Sequence, residues 1–407
     1  MSITKKVYLV GTFDTKGDEL AYVATLIRNV GTPLVTVDVS SQPYSPKTTP
    51  AADVPNTEVA GYHQRSPQFL GTTDDRGNAV TMMSEALGQF LTSRDDLGGV
   101  IGIGGSGNTA LVTAAMRRLP VGVPKIMVST VASGDVSPYV GPNDIAMMYS
   151  VTDVAGINRI SRIVLGNAAH AIAGMVNHTI PTATTEKPTL GMTMFGVTTP
   201  CVTSVRQTLE AEFDPLVFHA TGTGGQSMEK LIDSGMIAHV IDITLTEVCD
   251  LHMGGVMSAG EDRLGAVIRK GIPYVGSVGA LDMVNFAAFD TVPEKYRNRN
   301  LYRHNANVTL MRTTAEENRE MGRWIGERLN RMTGPVRFLL PEKGVSLIDA
   351  EGQPFHDPEA DEALFTAIEE TVEQTADRTV TRHPYNINDP EFATALIDAF
   401  RDIWRTK

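Results

Sequence analysis

The chain has 407 residues, of which 42% are hydrophobic and 20% charged, a composition typical of about two or three globular domains with a large core. Forty-seven acidic against 35 basic residues give a formal net charge of −12, which argues against sequence-independent attraction to nucleic acid or to an anionic membrane. Two cysteines are too few for a disulfide framework, and no signal-peptide pattern opens the chain, so we expect a cytoplasmic protein. No apolar run reaches the roughly 18 residues that a membrane-spanning helix needs.

Short apolar strands alternate with amphipathic helices in the first half of the chain, which is the pattern of a mostly parallel sheet covered by helices on both faces. Residues 43–77 are rich in Pro, Thr, Gln and Gly and are predicted to be irregular. The predicted strands are 7–10, 34–39, 99–103 and 125–129, and the predicted helices are 18–30, 79–94 and 108–119.

The same order of elements returns after the polar stretch TTEKP at residues 184–188, which we interpret as a linker. Both halves contain a basic helix end, a Gly-x-Pro turn and an apolar strand that is followed by an aspartate, Asp135 or Asp282. The predicted strands are 189–195, 215–219, 239–244 and 272–277, and the predicted helices are 202–212, 228–234 and 263–269.

This repetition predicts the α/β fold class, with two Rossmann-like doubly wound domains and mostly parallel sheets. The predicted domains are residues 1–183, for nucleotide binding, and residues 189–407, which end in additional helices. The alternative to an internal duplication is that any two α/β units resemble each other to this degree. Toward the C-terminus we predict a helix over 316–332 with a capping box at Thr313 or Thr314, a strand over 336–340, and helices over 358–374 and 389–404.

A glycine-rich loop, GIGGSGNT at residues 102–109, lies between a predicted strand and a predicted helix. Strand, glycine turn and helix in that order place backbone N–H groups at a helix N-terminus, where they can hold an anion such as a phosphate. The glycine spacing is not G-x-G-x-x-G, and no lysine follows as in a P-loop. The alternative is a tight turn that only lets a helix pack on a sheet.

With a strand order of 2-1-3-4, the crevice between strands one and three brings this loop beside GTFDTKGD at residues 11–18. Lys16 is predicted to place a positive charge on phosphates, and Asp14 to hold Mg²⁺ through water. The alternatives are a solvated Lys16 and an N-capping Asp14. A third loop at residues 129–135 is expected to rim the crevice. The predicted cofactor-binding residues are Gly11, Thr12, Asp14, Thr15, Lys16, Gly104, Gly105, Ser106, Gly107, Asn108, Thr109, Ser129, Ser133 and Gly134.

The loops at 11–17, 102–109 and 129–135, together with SAGEDRL at 258–264 and HNANVTLMRTT at 304–314, resemble bacterial proteins that are similar to the N-terminal domain of the tomato mosaic virus resistance protein. The resemblance covers essentially the whole chain. It implies two Rossmann-like subdomains, ATP as cofactor, and a homodimer, and we expect Mg²⁺ to accompany the ATP beside Asp14. The plant protein's binding of a viral replication protein is not carried over, and the resemblance assigns no reaction.

The second half carries more ionisable groups than a purely structural domain requires. Four of them are predicted to be catalytic, as general acid, general base or ligand-holding groups: Glu247, His252, Asp282 and His304. Their spacing matches no metal-binding fingerprint. The alternative is a structural hydrogen-bond network, and Arg263 either holds an anion or pairs with neighbouring carboxylates. Cys249 is interpreted as a buried small side chain rather than a nucleophile.

Two classes of function remain open. The first is an ATP-dependent enzyme that acts on an unidentified small molecule in a cleft between the domains. The second is a nucleotide-binding regulatory or interaction protein without turnover. A nicotinamide-dependent redox enzyme is disfavoured because the dinucleotide fingerprint is missing.

Overall fold

The computed structural model describes residues 4–41, 51–64, 70, 76–178, 180–181 and 187–404. The chain divides into two compact units, a first unit of Met1–Thr182 and a second unit of Ala183–Lys407. Much of the predicted irregular region 43–77 lies outside the described residues, and so do residues 184–186 of the predicted linker. Among the helices that are described, none has the length and apolarity needed to cross a membrane.

The first unit is a five-stranded parallel sheet in the order β2-β1-β3-β4-β5, with helices on both faces. The strands are β1 (Lys6–Gly11), β2 (Leu34–Asp38), β3 (Leu97–Gly104), β4 (Lys125–Ser129) and β5 (Ala146–Tyr149). The helices are α1 (Phe13–Asn29), α2 (Asn56–Ala60), α3 (Arg76–Thr92), α4 (Ser106–Met116), α5 (Ser137–Val140) and α6 (Arg159–Asn177).

Strand β1 shows why this unit forms a sheet buried on two sides. Val7 and Leu9 pack into the core that α1 and α6 cover, whereas Tyr8 and Val10 pack into the core that α3 and α4 cover. Because successive side chains of a strand point to opposite faces, a strand buried on both faces must be apolar at every position. That requirement accounts for the continuous apolar run in its sequence.

The second unit contains a six-stranded parallel sheet in the order β14-β13-β9-β8-β6-β7. Its strands are β6 (Thr189–Met194), β7 (Asp214–His219), β8 (His239–Thr244), β9 (Tyr274–Gly279), β13 (Val336–Pro341) and β14 (Arg378–His383). The helices are α7 (Thr199–Leu209), α8 (Thr223–Asp233), α9 (Thr246–Met253), α10 (Gly265–Lys270), α11 (Ala315–Arg331), α12 (Pro358–Thr371) and α13 (Pro390–Trp404).

The first four strands of each unit share one arrangement, 2-1-3-4 in chain order within the unit. The predicted fold class of two Rossmann-like α/β domains with mostly parallel sheets is therefore confirmed. The second unit also contains a small antiparallel sheet, β10-β12-β11, that the sequence pattern did not predict. Its strands are β10 (Met283–Phe286), β11 (Leu301–Asn305) and β12 (Val308–Arg312).

Candidate functional site

The loops after β1, β3 and β4 lie at the same carboxyl edge of the first unit's sheet. Register places Val10 beside Gly102, and Gly104 beside Ser129, so the three strands end next to one another. This edge contains the point where strand order reverses, between β1 and β3, which is where ligands bind in open parallel sheets. The predicted phosphate-binding residues therefore converge on one edge.

The glycine loop opens toward free space at the N-terminus of α4. Gly105 is the N-cap, with φ −83° and ψ −168°, and within the described part of the chain no side chain caps this helix. A Cβ atom built on Gly105 would lie 3.8 Å from Thr130 Oγ1, and one built on Gly107 would meet nothing within 4 Å. The first N–H groups of a helix have no partner inside the helix, so this open N-terminus offers donors to an anion.

The base of the same loop is held rigidly by buried hydroxyls. Thr109 Oγ1 lies 2.6 Å from Ser129 Oγ and donates to the Gly105 carbonyl at 2.8 Å. The amide of Asn108 donates to the Ile103 carbonyl at 2.6 Å, and its Oδ1 is buried without a hydrogen-bond partner among the described residues. Thr109 and Ser129 therefore fix the loop, whereas Ser106 is exposed at its rim.

The loop after β1 presents a second set of polar groups. The hydroxyls of Thr12 and Thr15 lie 2.8 Å apart, and Thr15 and Asp14 are exposed. Thr12, not Asp14, is the N-cap of α1, so the alternative interpretation of Asp14 as a cap is wrong. The Lys16 ammonium donates to the Val154 carbonyl, and Lys16 departs from helical geometry at φ −128° and ψ 22°.

Asp38, at the end of β2, orders this loop from inside. Its Oδ1 accepts from the Phe13 N–H at 3.2 Å and from the Ser40 N–H at 2.9 Å. Desolvation raises the pKa of the Asp38 carboxyl, and the hydrogen bonds from Ser40 and Phe13 oppose that rise. Of the remaining members of the predicted set, Gly11 is buried at the end of β1, and Ser133 and Gly134 are exposed in the loop after β4.

The second unit also has a glycine-rich helix start, at residues 221–226, but an internal carboxylate fills it. Glu247 Oε1 accepts from the Gly222 N–H at 2.8 Å and from the Gly225 N–H at 3.0 Å. A Cβ atom on Gly225 would lie only 2.2 Å from Glu247 Oε2. The N-terminus of α8 therefore already holds an anion that belongs to the chain itself.

A buried ionic cluster, which we call the Arg263 cluster, surrounds that carboxylate. The Arg263 guanidinium pairs with Glu247 at 2.9 Å, Asp242 at 2.7 Å and Glu229 at 3.3 Å. Tyr274 donates to Asp242 at 3.1 Å. Burial raises the pKa of Glu229 to about 7, although Arg263 opposes that rise. Arg263 therefore pairs with neighbouring carboxylates, one of the two roles that the sequence left open.

Asp282 belongs to a different buried group, centred on Arg312. Arg312 pairs with Asp361 at 2.7 Å and with Asp349 at 3.2 Å, while Asp282 accepts from the Ser346 hydroxyl at 2.8 Å. Asp282 Oδ1 is buried without a hydrogen-bond partner in the described part of the chain. Burial raises the pKa of Asp282 to about 6, against the effect of Arg312.

The two predicted catalytic histidines lie apart from these carboxylates. His252, in the last turn of α9, packs edge-on against Trp324 with ring centroids 5.8 Å apart, and His304 is exposed on β11. The four predicted catalytic residues thus have separate partners, and their catalytic role stays a prediction. Cys249 is fully buried, and burial raises the pKa of its thiol well above the usual value.

Sequence reasoning missed several buried acids that organise the second unit. Glu229 lies inside the helix α8, and Asp349 and Asp361 lie far along the chain from their partner Arg312. Only Glu229 had a local signal, since it occupies a position on the apolar face of an amphipathic helix, next to Met228 and one turn before Ile232. Among the described residues, no group of three or more His, Cys, Asp or Glu is arranged to hold a metal ion.

Comparison with known proteins places both units in one family. The N-terminal domain of the uncharacterised protein family UPF0261 matches residues 5–181, and its C-terminal domain matches residues 187–404. A UPF0261 protein of Rhizobium meliloti is 56% identical over 399 residues, which cover 98% of this chain and 99% of that protein. A UPF0261 protein of Clostridium tetani is 48% identical, with 97% and 98% covered. The ToMV resistance protein Tm-1(GCR237) of Solanum lycopersicum is 44% identical, over 99% of this chain and 56% of the tomato protein.

Proposed function

The chain belongs to the UPF0261 family, and from that premise we propose that it binds ATP at the carboxyl edge of the first unit's sheet. The observation that carries the proposal is the open, uncapped N-terminus of α4 beside the exposed hydroxyls of the loop after β1. Backbone N–H groups at a helix N-terminus favour phosphate oxygens, and hydroxyl groups add further donors. Gly105 and Gly107 leave space above those N–H groups for a close approach.

A magnesium ion fits this proposal as a companion of the phosphates. Mg²⁺ in nucleotide sites keeps several waters and is held by one or two carboxylates together with phosphate oxygens. Asp14 is exposed in the first turn of α1, in the same loop as the Thr12 and Thr15 hydroxyls. We therefore propose that Asp14 holds the ion through water, which predicts that ATP binds more tightly with Mg²⁺ than without it.

The proposed activity of the ATP-bound protein is ATP-dependent chemistry on an unidentified small molecule. The other candidate is a nucleotide-binding regulatory protein. The Glu247 carboxylate already binds two backbone N–H groups and Arg263, which favours a structural role for Glu247 over a role in turnover and so favours this second candidate. Release of phosphate or ADP, measured with a panel of small organic acids in the presence and absence of Mg²⁺, separates the two. Turnover with one substrate supports an enzyme, and tight binding without turnover across the panel supports regulation.

Two further parts of the proposal are a homodimer, which the family resemblance implies, and a cytoplasmic location, which the small number of cysteines favours. A dimer predicts about twice the chain mass of 43.9 kDa in analytical ultracentrifugation. A monomer across micromolar concentrations would contradict that part of the proposal and leave nucleotide binding unaffected.

The sharpest test of the phosphate site is Gly105→Ala. Because Gly105 has an ordinary negative φ and free space beyond it, the added methyl group is expected to cost no more than about 1 kcal/mol, the difference between Gly and Ala as N-cap residues. The same methyl group occupies the space through which a phosphate approaches the N–H groups. We expect titration calorimetry to show ATP affinity reduced about tenfold or more, which is about 1.4 kcal/mol.

Gly174→Ala is the matched control, since a Cβ atom on Gly174 in α6 also meets nothing within 4 Å. This variant is expected to bind ATP as the parent does. Equal affinities of the parent and Gly105→Ala would contradict the phosphate assignment, and no binding heat from the parent protein would contradict ATP binding itself.

A further inference from the structure

Residues 150–158, which we call the strap, connect β5 to α6 at the same carboxyl edge as the proposed phosphate site. The strap begins at Ser150, whose N–H donates to the Ser129 carbonyl at 3.1 Å. Ser129 in turn contacts Thr109 of the glycine loop. Most of the strap is exposed, and Val154 is its buried anchor, at 2% exposure.

Two side chains of α1 hold the strap in place. The Lys16 ammonium donates to the Val154 carbonyl, and Glu19 Oε1 accepts from the Gly156 N–H at 2.6 Å. Glu19 is buried at 2% exposure whereas Gly156 is exposed, so this second contact is partly shielded from solvent. The strap is therefore attached to the helix that begins at the proposed phosphate site.

The first turn of the strap is held in an unfavourable conformation. Val151 has φ +67°, a left-handed value that a β-branched residue rarely adopts, and its side chain is 55% exposed. The Thr152 N–H donates to the Ser150 carbonyl at 2.8 Å, which closes a tight turn around Val151. Such a conformation persists only while its surroundings fix it, so loss of a contact to α1 favours rearrangement of the strap.

Lys16 has a neutral partner although it lies beside the proposed phosphate site. A carbonyl oxygen is a weaker partner for an ammonium group than a phosphate oxygen, because hydrogen bonds between two ions are the stronger kind. Lys16 also departs from helical geometry, so its backbone lies at a break in α1 between residues 13–15 and the rest of the helix. A triphosphate at the loops after β1 and β3 would compete directly with the Val154 carbonyl for this ammonium group.

We propose that the strap is released by nucleotide binding, because Lys16 exchanges the Val154 carbonyl for a phosphate oxygen. This inference rests on the proposed ATP site and adds a conformational consequence to it. The strap is then the segment through which the first unit signals that its nucleotide is bound. Glu19 holds the far end of the attached strap at Gly156, so its hydrogen bond, like that of Lys16, opposes release.

Hydrogen exchange of the full chain, read by mass spectrometry with and without saturating Mg²⁺ and ATP, tests the release. We expect ATP to raise the exchange rate of peptides that cover 150–158 by about fivefold or more, while the loops at 11–16 and 104–109 become protected. Calorimetry on the same sample reports ATP binding separately. Binding heat with unchanged or slower exchange in the strap would overturn the inference and leave the proposed function intact, whereas no binding heat would overturn both.

Two lysine variants separate the Lys16 contact from the general loss of a lysine charge and its carbonyl contact. Lys16→Met is expected to show the raised strap exchange without ATP, no further rise with ATP, and an ATP affinity reduced about tenfold. Lys5→Met is the matched control, because Lys5 donates to the Asp95 carbonyl at 3.0 Å just before β1, at the opposite end of that strand. It removes an equivalent lysine–carbonyl contact and is expected to change neither quantity. Parent-like strap exchange in Lys16→Met without ATP would overturn the inference.

Glu19→Gln tests the strap without touching the phosphate loops. A neutral amide weakens the bond to the Gly156 N–H, so we expect faster strap exchange in the absence of ATP. Because part of the opening then precedes binding, ATP affinity is expected to rise about two- to fivefold. A purely structural role of Glu19 would not raise affinity, so an unchanged or lower affinity together with faster strap exchange would overturn the coupling.

Discussion

The glycine-rich loops that begin α4 and α8 are both helix starts at the end of a strand, but they have opposite surroundings. Each follows a strand of a parallel sheet, and each presents backbone N–H groups at a helix start. In the second unit those groups bind Glu247, which Arg263 also holds. In the first unit the space beyond Gly105 and Gly107 is open. The local sequence sets the geometry of the helix start, whereas a distant acid decides whether an outside anion has access.

This difference gives a physical reason to search for a ligand in the first unit rather than at every glycine loop. A helix N-terminus that is filled by a buried carboxylate stabilises the fold, because charge and dipole are satisfied internally. An open N-terminus contributes less to folding and retains its donors for a ligand. Substitutions are therefore expected to affect stability at the α8 loop and ligand affinity at the α4 loop.

Arg263→Met is expected to have the largest effect of these substitutions, confined to the second unit. It leaves the carboxylates of Glu229, Asp242 and Glu247 buried around an apolar side chain. Removal of one partner of a buried ion pair costs about 3 to 5 kcal/mol, and we expect a loss of stability of that size. Urea unfolding followed by tryptophan fluorescence measures this loss selectively, since both tryptophans, Trp324 and Trp404, belong to the second unit.

Arg269→Met is the matched control, because Arg269 pairs with Asp233 and Asp262 at the surface. Exposed ion pairs contribute about 0 to 1 kcal/mol, so this variant is expected to unfold close to the parent. Similar losses for the two variants would show that the Arg263 cluster does not hold the second unit together, and the contrast between the two loops would lose its energetic basis.

Gly225→Ala is expected to have the next largest effect. The new methyl group would lie 2.2 Å from Glu247 Oε2, so the carboxylate must move away from the N–H groups it binds. Overpacking of this kind costs about 1 to 3 kcal/mol, more than the loss of no more than about 1 kcal/mol expected at the N-cap Gly105. Urea unfolding by tryptophan fluorescence measures the loss.

A shorter acid provides the control for this prediction. Glu247→Asp makes room for the methyl group, so the effect of Gly225→Ala is expected to be smaller in that background than in the parent. Equal effects in both backgrounds would mean that the carboxylate does not fill the α8 loop as the structure describes.

The sequence was sufficient to predict those helices and strands whose signal lies in neighbouring residues. Strand β8, at His239–Thr244, was predicted at its observed ends, and the predicted capping box of α11 forms between Thr314 and Glu317. The missed sheet β10-β12-β11 has strands of four or five residues, and most of β11 is exposed. The apolar pattern of the other two strands is interrupted by buried polar residues, Asn285 in β10 and Thr309 and Arg312 in β12, so they do not resemble the equally short apolar strand β4.

For the candidate site, the sequence predicted where the backbone loops lie but not which side chains surround them. The glycine spacing and strand order identified the edge where the loops after β1 and β3 meet, as their register confirms. Which acids face inward depends on contacts across long separations, such as Arg312 with Asp361. Helix α6 was missed although Asn158 and Ser161 form a capping box at its start, a signal that the sequence did contain.

The smallest expected effect is a pH dependence of the free energy of unfolding of the second unit. Burial raises the pKa of Glu229 and that of Asp250, each to about 7, so the folded state keeps protons that the unfolded chain has released. Their contribution to stability is complete below about pH 4 and is lost as the pH rises through 7.

Burial lowers the pKa values of His252 and His383. These two groups therefore make the free energy of unfolding rise with pH, but only up to about pH 6.5, where the histidines of the unfolded chain lose their protons. Between pH 6.5 and 8 the carboxylates therefore dominate. We expect the free energy of unfolding of the second unit, measured by tryptophan fluorescence in urea, to fall by about 1 to 2 kcal/mol over that range. Stability that is constant or rises from pH 6.5 to 8 would mean that the buried acids carry no proton in the folded state. Glu229 would then be ionised at neutral pH, with Arg263 and the Leu264 and Ala266 N–H groups sufficient to keep it charged.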